Sequence, residues 1–268
     1  MKKSTRIAIV AFMAVAAIFS VVLYSAHPTH AATTSANKLI VPSYFYPDVW
    51  NTPNNWYTMC DAMPAQSIAI MNPNSGPDTA KNSDYTTAVT HCQSENQNVI
   101  GYVHTSYGAR SETDVKAEID EYYSWYGVDG IFLDEMSSDA STQSYYSDIY
   151  AYIHAKGGSA HNLVVGNMGT YSTTDWALST GKVVDLLVTF EGSYADYQSI
   201  QAPAWTKNYA STDFAALVYG TSASELSSTC SSLNSQGPGI TYRYVTDDTL
   251  SNPWDTLASY WPTEASSC

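Results

Sequence analysis

The sequence predicts an α/β fold, a single-domain (β/α)8 TIM barrel, and three observations predict it. Short apolar, β-branched runs recur eight times; segments of helical period separate them; and one run, Val128-Asp-Gly-Ile-Phe-Leu-Asp-Glu135, reads as a buried strand that stops at two acids. Alternating strands and helices make a parallel sheet. Eight such units close into a barrel, whose active site lies at the carboxyl ends of its strands. An open doubly wound sheet is the competing architecture, but the first turn lacks the glycine-rich phosphate fingerprint expected there.

Met1 to Ala31 reads as a secretory signal: Lys2, Lys3 and Arg6 precede the apolar stretch Ile7 to Leu23, and Thr29-His30-Ala31 supplies a cleavage site. Residues 1–31 are therefore expected to be removed, leaving residues 32–268 as a secreted, extracellular barrel of about 235 residues, a length at which α/β barrels remain one domain. No later segment is apolar enough to span a bilayer, so no membrane contact is expected after processing.

The first strand is expected over Lys38 to Tyr46 and delivers Tyr44, Phe45 and Tyr46, which cannot all face inward because neighbours alternate sides. The second, Ser67 to Met71, leads to Asn72 and Asn74, residues that also build turns. The third, Val99 to His104, leads to His104 and Tyr107. A helix follows over Asp114 to Tyr126, with Val115, Ile119, Tyr122, Tyr123 and Tyr126 at three- and four-residue spacing. In the fourth strand, Val128 to Leu133, Ile131 to Leu133 form the continuous apolar run of a strand covered on both faces, and Gly130 admits a close backbone neighbour. Asp134 and Glu135 come next. The fifth strand, Leu163 to Gly166, delivers Asn167; the sixth, Val184 to Phe190, delivers Glu191; the seventh, Phe214 to Tyr219, ends at Tyr219. The eighth, Gly239 to Val245, contributes Tyr242 and Arg243.

Four cysteines in an exported chain permit disulfides in three connectivities. Cys60 with Cys92 and Cys230 with Cys268 are favoured, the first pair lying in consecutive helical segments and the second tying down the C-terminus. No CxxC occurs, which argues against a zinc cage.

The chain carries a formal charge of −14; removal of the signal leaves 8 basic against 25 acidic residues, or −17. That charge argues against nucleic acid as a partner and favours solubility or a cationic substrate. Aromatic rings, amides and acids gathered in one cleft suit a sugar, whose C–H faces stack on rings while its hydroxyls need directional partners. Glycoside cleavage needs a proton donor and a second carboxylate across the bond, and the Asp134/Glu135 pair and Glu191 face each other if two strands separate them on a small barrel. Each candidate also has a structural reading: an acid after a strand caps a helix, His104 bonds structurally, Arg243 pairs with an acid. A polysaccharide deacetylase would need closely spaced His ligands to a metal, and His91, His104, His154 and His161 are not so spaced. A non-catalytic polysaccharide-binding or spore-surface protein is the alternative that aromatics and amides alone would satisfy.

Several segments carry a resemblance: Val41-Pro-Ser-Tyr-Phe-Tyr-Pro, Met71-Asn-Pro-Asn-Ser-Gly-Pro, Gly101-Tyr-Val-His-Thr-Ser-Tyr-Gly-Ala-Arg, Trp125-Tyr-Gly-Val-Asp-Gly-Ile-Phe-Leu-Asp-Glu, Phe190-Glu-Gly-Ser-Tyr and Asn252-Pro-Trp-Asp-Thr-Leu-Ala-Ser-Tyr-Trp. In these the chain resembles the spherulin 4-like (spherulation-specific family 4) glycoside hydrolases. The resemblance implies a (β/α)8 barrel and endo-acting cleavage of α-1,4-linked N-acetylgalactosamine or galactosamine polymers such as galactosaminogalactan. It places the family's acidic motif on Asp134 and Glu135 and its later glutamate on Glu191. By analogy with related barrels, Asp134 is the expected nucleophile, Glu191 the acid/base and Glu135 a supporting carboxylate. The chain departs from the family pattern at Asp78, where glycine is usual, and at Met168, where Asn-Pro-Gly is common. The expected partner is thus an amino-sugar polysaccharide, with no cofactor, and the expected state a monomer.

Overall fold

A computed structural model describes residues 37–268; the signal expected over residues 1–31 lies outside the described residues. Eight parallel strands close in chain order into one barrel: β1 (Lys38–Ser43), β2 (Ile68–Met71), β3 (Asn98–His104), β4 (Gly130–Asp134), β5 (Leu163–Asn167), β6 (Leu186–Ser193), β7 (Phe214–Tyr219) and β8 (Tyr242–Val245). Closure is made where Lys38 and Leu39 of β1 register with Tyr242 and Arg243 of β8. The α-helices are α1 (Asn55–Ala62), α2 (Ser83–Ser94), α3 (Glu112–Tyr126), α4 (Gln143–Gly157), α5 (Tyr194–Tyr197), α6 (Leu226–Ser235) and α7 (Trp261–Ser267).

Local chemistry sets these boundaries. Asn54, Asn82 and Ser111 accept hydrogen bonds from the first-turn amides of α1, α2 and α3, satisfying donors that have no intrahelical partner. Helix α3 buries Val115, Ile119, Tyr122 and Tyr126 and ends at Gly127 in the left-handed region, the usual helix stop. Strand and helix do not alternate throughout, as the sequence pattern suggested, because no α-helix joins β5 to β6. That connection is rich in Thr, Ser and Gly, poor helix formers, and instead covers the barrel with buried Trp176, Ala177, Val183 and Val184.

The sheet needs glycine where backbones or rings press closest. A Cβ at Gly130 would stand 2.1 Å from the Leu163 carbonyl oxygen of β5, and one at Gly101 would stand 2.4 Å from Cγ of Tyr122. Both are far inside contact distance, so β4 pairs with β5, and α3 packs on β3, only because these side chains are absent. Disulfides join Cys60 of α1 to Cys92 of α2 and Cys230 of α6 to Cys268, the pairing expected from the sequence. Residue Glu264 of α7 is fully buried beneath β8, its Oε1 accepting from the Val245 amide at 2.6 Å.

Candidate active site

The acids are delivered by adjacent parts of the carboxyl rim. Asp134 is the last residue of β4 and registers with His104 of β3. Glu191 lies in β6 just beyond a register shift between Val188 and Phe190, an irregularity of the kind that re-aims a side chain at the rim of a barrel. Between them, at the end of β5, stands the buried Asn167. Its Nδ2 donates to Asp134 Oδ1 at 2.7 Å and to Glu191 Oε2 at 2.5 Å. Its own Oδ1 accepts from the Gly169 amide at 3.0 Å, which fixes the amide so that its NH2 faces the acids. The nearest carboxylate oxygens, spanned by two bonds to one nitrogen, are therefore no more than about 5 Å apart, closer than the carboxyl groups of an inverting pair.

Each acid has a second donor. Tyr102 of β3 gives its hydroxyl to Asp134 Oδ2 at 2.6 Å, and burial followed by the charge of Asp134 holds that phenol protonated by raising it well above its ordinary value. Trp254, in the loop after β8, donates Nε1–H to Glu191 Oε1 at 3.2 Å. Burial and then the charge of Asp134 raise Glu191 above the ordinary carboxylate range, while the bonds from Asn167 and Trp254 partly offset this. Both oxygens of each acid accept a hydrogen bond, and burial with the neighbouring Asp134 biases Glu191 towards carrying a proton. Tyr44 packs edge-on against Tyr102 at 5.7 Å, and burial, with Asp134 and Glu191 nearby, raises its phenol well above the ordinary value.

Glu135 has φ +50°, unusual for a residue with a side chain. Its conformation is held by main-chain contacts from the β3 loop: its carbonyl accepts from the Tyr107 amide at 2.7 Å and from the Thr105 hydroxyl at 2.9 Å. The same hydroxyl lies 2.9 Å from the Asp134 carbonyl and 2.8 Å from the Tyr146 hydroxyl of α4. Strained backbone beside paired acids is a feature of functional sites.

The remaining candidates separate into four groups. Tyr44, His104, Asn167 and Tyr219 share the rim with the acids; His104 is tied through its carbonyl to Arg110 at 3.0 Å, and Tyr219 meets Trp254 edge-on at 6.1 Å. Tyr46 and Tyr107 lie on rim loops and expose most of their surface. Asn72 and Asn74 shape the loop after β2, Asn72 Oδ1 accepting from the Gly76 amide and Asn74 Nδ2 donating to Asp78. Asp78 stands at φ +75°, in the region that favours glycine.

Tyr242 and Arg243 are corrections. The eighth strand starts at Tyr242, in register with Lys38 at the beginning of β1, so both residues occupy the amino end of the barrel, away from the acids. Arg243 is fully buried and bonds to the carbonyls of Cys230 and Ile240 and to the side chains of Asn234 and Asn37. The strand's true rim is Val245, and the residues that reach the site from this side come from the following loop. Sequence reasoning missed Tyr102, Trp254 and Thr105. The two-residue spacing of Tyr102, His104 and the strand alternation points to Tyr102; nothing local marks Trp254 or Thr105.

Carboxylates linked at the carboxyl rim of a closed eight-stranded parallel barrel stand where such barrels keep their active sites. A profile of the spherulation-specific family 4 matches residues 38–267, and the chain is 36% identical to spherulin-4 of Physarum polycephalum over 88% of its length and 72% of that protein's. The chain belongs to the spherulation-specific family 4. The structure of Sph3 from Aspergillus clavatus, solved in complex with GalNAc, superposes with a TM-score of 0.72 at 23% identity, covering 85% of this chain and 96% of that one. A GH18 chitinase from Pseudoalteromonas aurantia superposes with a TM-score of 0.50 at 10% identity, over 78% and 93% of the two chains. These two likenesses concern the fold.

Proposed function

We propose that the protein is a secreted, endo-acting glycoside hydrolase that cleaves α-1,4-linked N-acetylgalactosamine or galactosamine polymers with retention of configuration. The observation that carries this reading is the Asp134–Asn167–Glu191 bridge. Two acids whose nearest oxygens lie within about 5 Å of each other, one biased towards its protonated form, suit a nucleophile and an acid/base on one glycosidic bond. Membership of the family and the fold shared with a protein solved with GalNAc support the sugar class. The export signal expected at the N-terminus supports secretion.

In the first step Glu191 gives its proton to the glycosidic oxygen while an Asp134 oxygen attacks the anomeric carbon. The bond to the leaving sugar breaks and a glycosyl ester forms on Asp134. In the second step Glu191, now ionised, takes a proton from water; the hydroxide attacks the anomeric carbon from the opposite side and Asp134 leaves as carboxylate. Tyr102 and Asn167 hold Asp134 in line, and Glu135, the next residue, is the supporting acid of this reading.

Mass spectrometry of products released from a panel of amino-sugar polymers tests the reading, with Asp134→Asn and Glu191→Gln as controls. Oligosaccharides should appear with the native protein and be lost in both variants while the circular dichroism spectra stay unchanged. Absence of release from every polymer would instead assign a binding role.

A further inference from the structure

Among the described residues four large hydrophobic side chains are exposed, and all four lie on rim loops at the carboxyl end of the barrel: Tyr46 (55%) and Trp50 (83%) after β1, Tyr107 (65%) after β3, and Leu250 (69%) after β8. The opposite end carries none. Exposed rings on the face that carries the acids are available to stack on a bound sugar chain. Two of these positions, Trp50 and Leu250, extend beyond the site built around the acids.

They belong to neighbouring loops. β1 pairs with β8, and the Tyr44 amide donates to the Trp254 carbonyl at 3.2 Å. Each loop touches the acid pair at one end and carries exposed apolar surface further out. The β1 loop runs from Tyr44, beside Asp134 and Glu191, to Tyr46 and Trp50; the β8 loop holds Leu250 four residues before Trp254, the donor to Glu191. Tyr46 is already oriented: its hydroxyl donates to Asp84 at 2.8 Å, accepts from Asn82 at 3.2 Å, and its ring meets Tyr85 edge-on.

Charge selects the occupant. Residues 44–54 and 246–260 contain Asp48, Asp247, Asp248 and Asp255 and no Lys, Arg or His, and no ion pair among the described residues involves those four acids. An aromatic face on unneutralised acidic loops suits a sugar bearing an ammonium group, because the ring stacks on C–H bonds and attracts a cation.

We propose that the β1 and β8 loops form a distal subsite, with Trp50 as its platform, that binds deacetylated, cationic hexosamine units of a polymer threaded through the cleft. The inference rests on the polymer-cleaving reading above. The acidic, aromatic loops thus give the protein a preference for partly deacetylated chains over fully acetylated ones.

The test compares native protein and Trp50→Ala on long partly deacetylated α-1,4-galactosaminan, on the same polymer after chemical re-acetylation, and on di- and trisaccharides. Trp50→Ala should raise KM about tenfold on the long partly deacetylated chain, with a smaller rise on the re-acetylated chain and none on the short oligomers. The native advantage on the deacetylated chain should shrink with added salt. Equal KM for native and variant protein on the long chain, or an equal rise on short and long substrates, would overturn the subsite while leaving the hydrolase reading intact. Polymer affinity measured by calorimetry in the Glu191→Gln background reads the subsite without turnover: a tenfold loss on adding Trp50→Ala supports it, and no loss overturns it.

Discussion

Asp134 and Glu191 share one hydrogen-bond donor, the Asn167 amide nitrogen, which lies 2.7 Å from the first and 2.5 Å from the second. Two acids this close repel when both are charged, and a neutral group with two N–H bonds joins them without adding charge of its own. A lysine would pull Glu191 down into the ionised range; an apolar residue would leave both oxygens unpaired. The bridge therefore keeps the acids aligned while leaving one of them free to carry the proton.

Asn167→Ala removes two bonds to ionisable groups, each worth about 1.5–3 kcal/mol. A loss in kcat on the order of a hundredfold is expected, with KM little changed, because the amide orients reacting groups rather than the bulk of the polymer. Steady-state kinetics on a defined oligomer measures this split; a change confined to KM would assign Asn167 to substrate binding.

The Trp254 indole lowers Glu191, against burial and Asp134 charge, which raise it. Trp254→Phe keeps the ring and deletes the N–H, so Glu191 should rise further. The proton donor is then retained to higher pH, and the alkaline limb of kcat/KM should move upward. A pH–rate profile shows the direction directly; a downward move would contradict the donor role of Glu191.

Glu264 of α7 is buried beneath β8, and that burial, with Asp247 nearby, raises its carboxyl well above the ordinary value. A folded-state value above the unfolded one means the stabilisation is complete below the unfolded carboxylate range and is lost as pH rises through the folded value. Native protein should thus lose stability with rising pH. Glu264→Gln keeps an acceptor for the Val245 amide and does not titrate, so its denaturation midpoint should vary less with pH. Parallel urea melts at several pH values provide the comparison.

Gly130 starts the strand that ends at Asp134, and a Cβ there would overlap the Leu163 carbonyl oxygen of β5. Gly130→Ala must spread β4 from β5, at a cost of about 3 kcal/mol, and should lower the thermal midpoint clearly. Since β5 carries Asn167, residual folded protein should also lose activity. A midpoint within error of the native one would show that the strands move apart without cost.

Strand periodicity, paired acids and the position of Gly130 were legible in the sequence because each depends on neighbours along the chain. An apolar run covered on both faces reads the same wherever its covering helices come from, and Asp134 follows its strand by one residue. The eighth strand was misread at its rim because Gly239 to Val245 is apolar and aromatic at both ends, and periodicity alone does not show that pairing with Lys38 begins only at Tyr242. The helix expected between β5 and β6 failed for a related reason: the rule of alternation outweighed a run of poor helix formers.

By itself the sequence determined the α/β barrel and the two acid-bearing strands and favoured the cysteine pairs that the structure shows, all consequences of local pattern and chain order. Only the tertiary structure decided that Asn167 joins Asp134 to Glu191, that Tyr102 and Trp254 supply their second donors, and that Arg243 stays buried at the far end. The relations around the two acids span 24 to 63 residues of chain between bonded partners. They depend on barrel closure and on the β6 register shift, which set distances between strand ends that no run of neighbouring residues encodes.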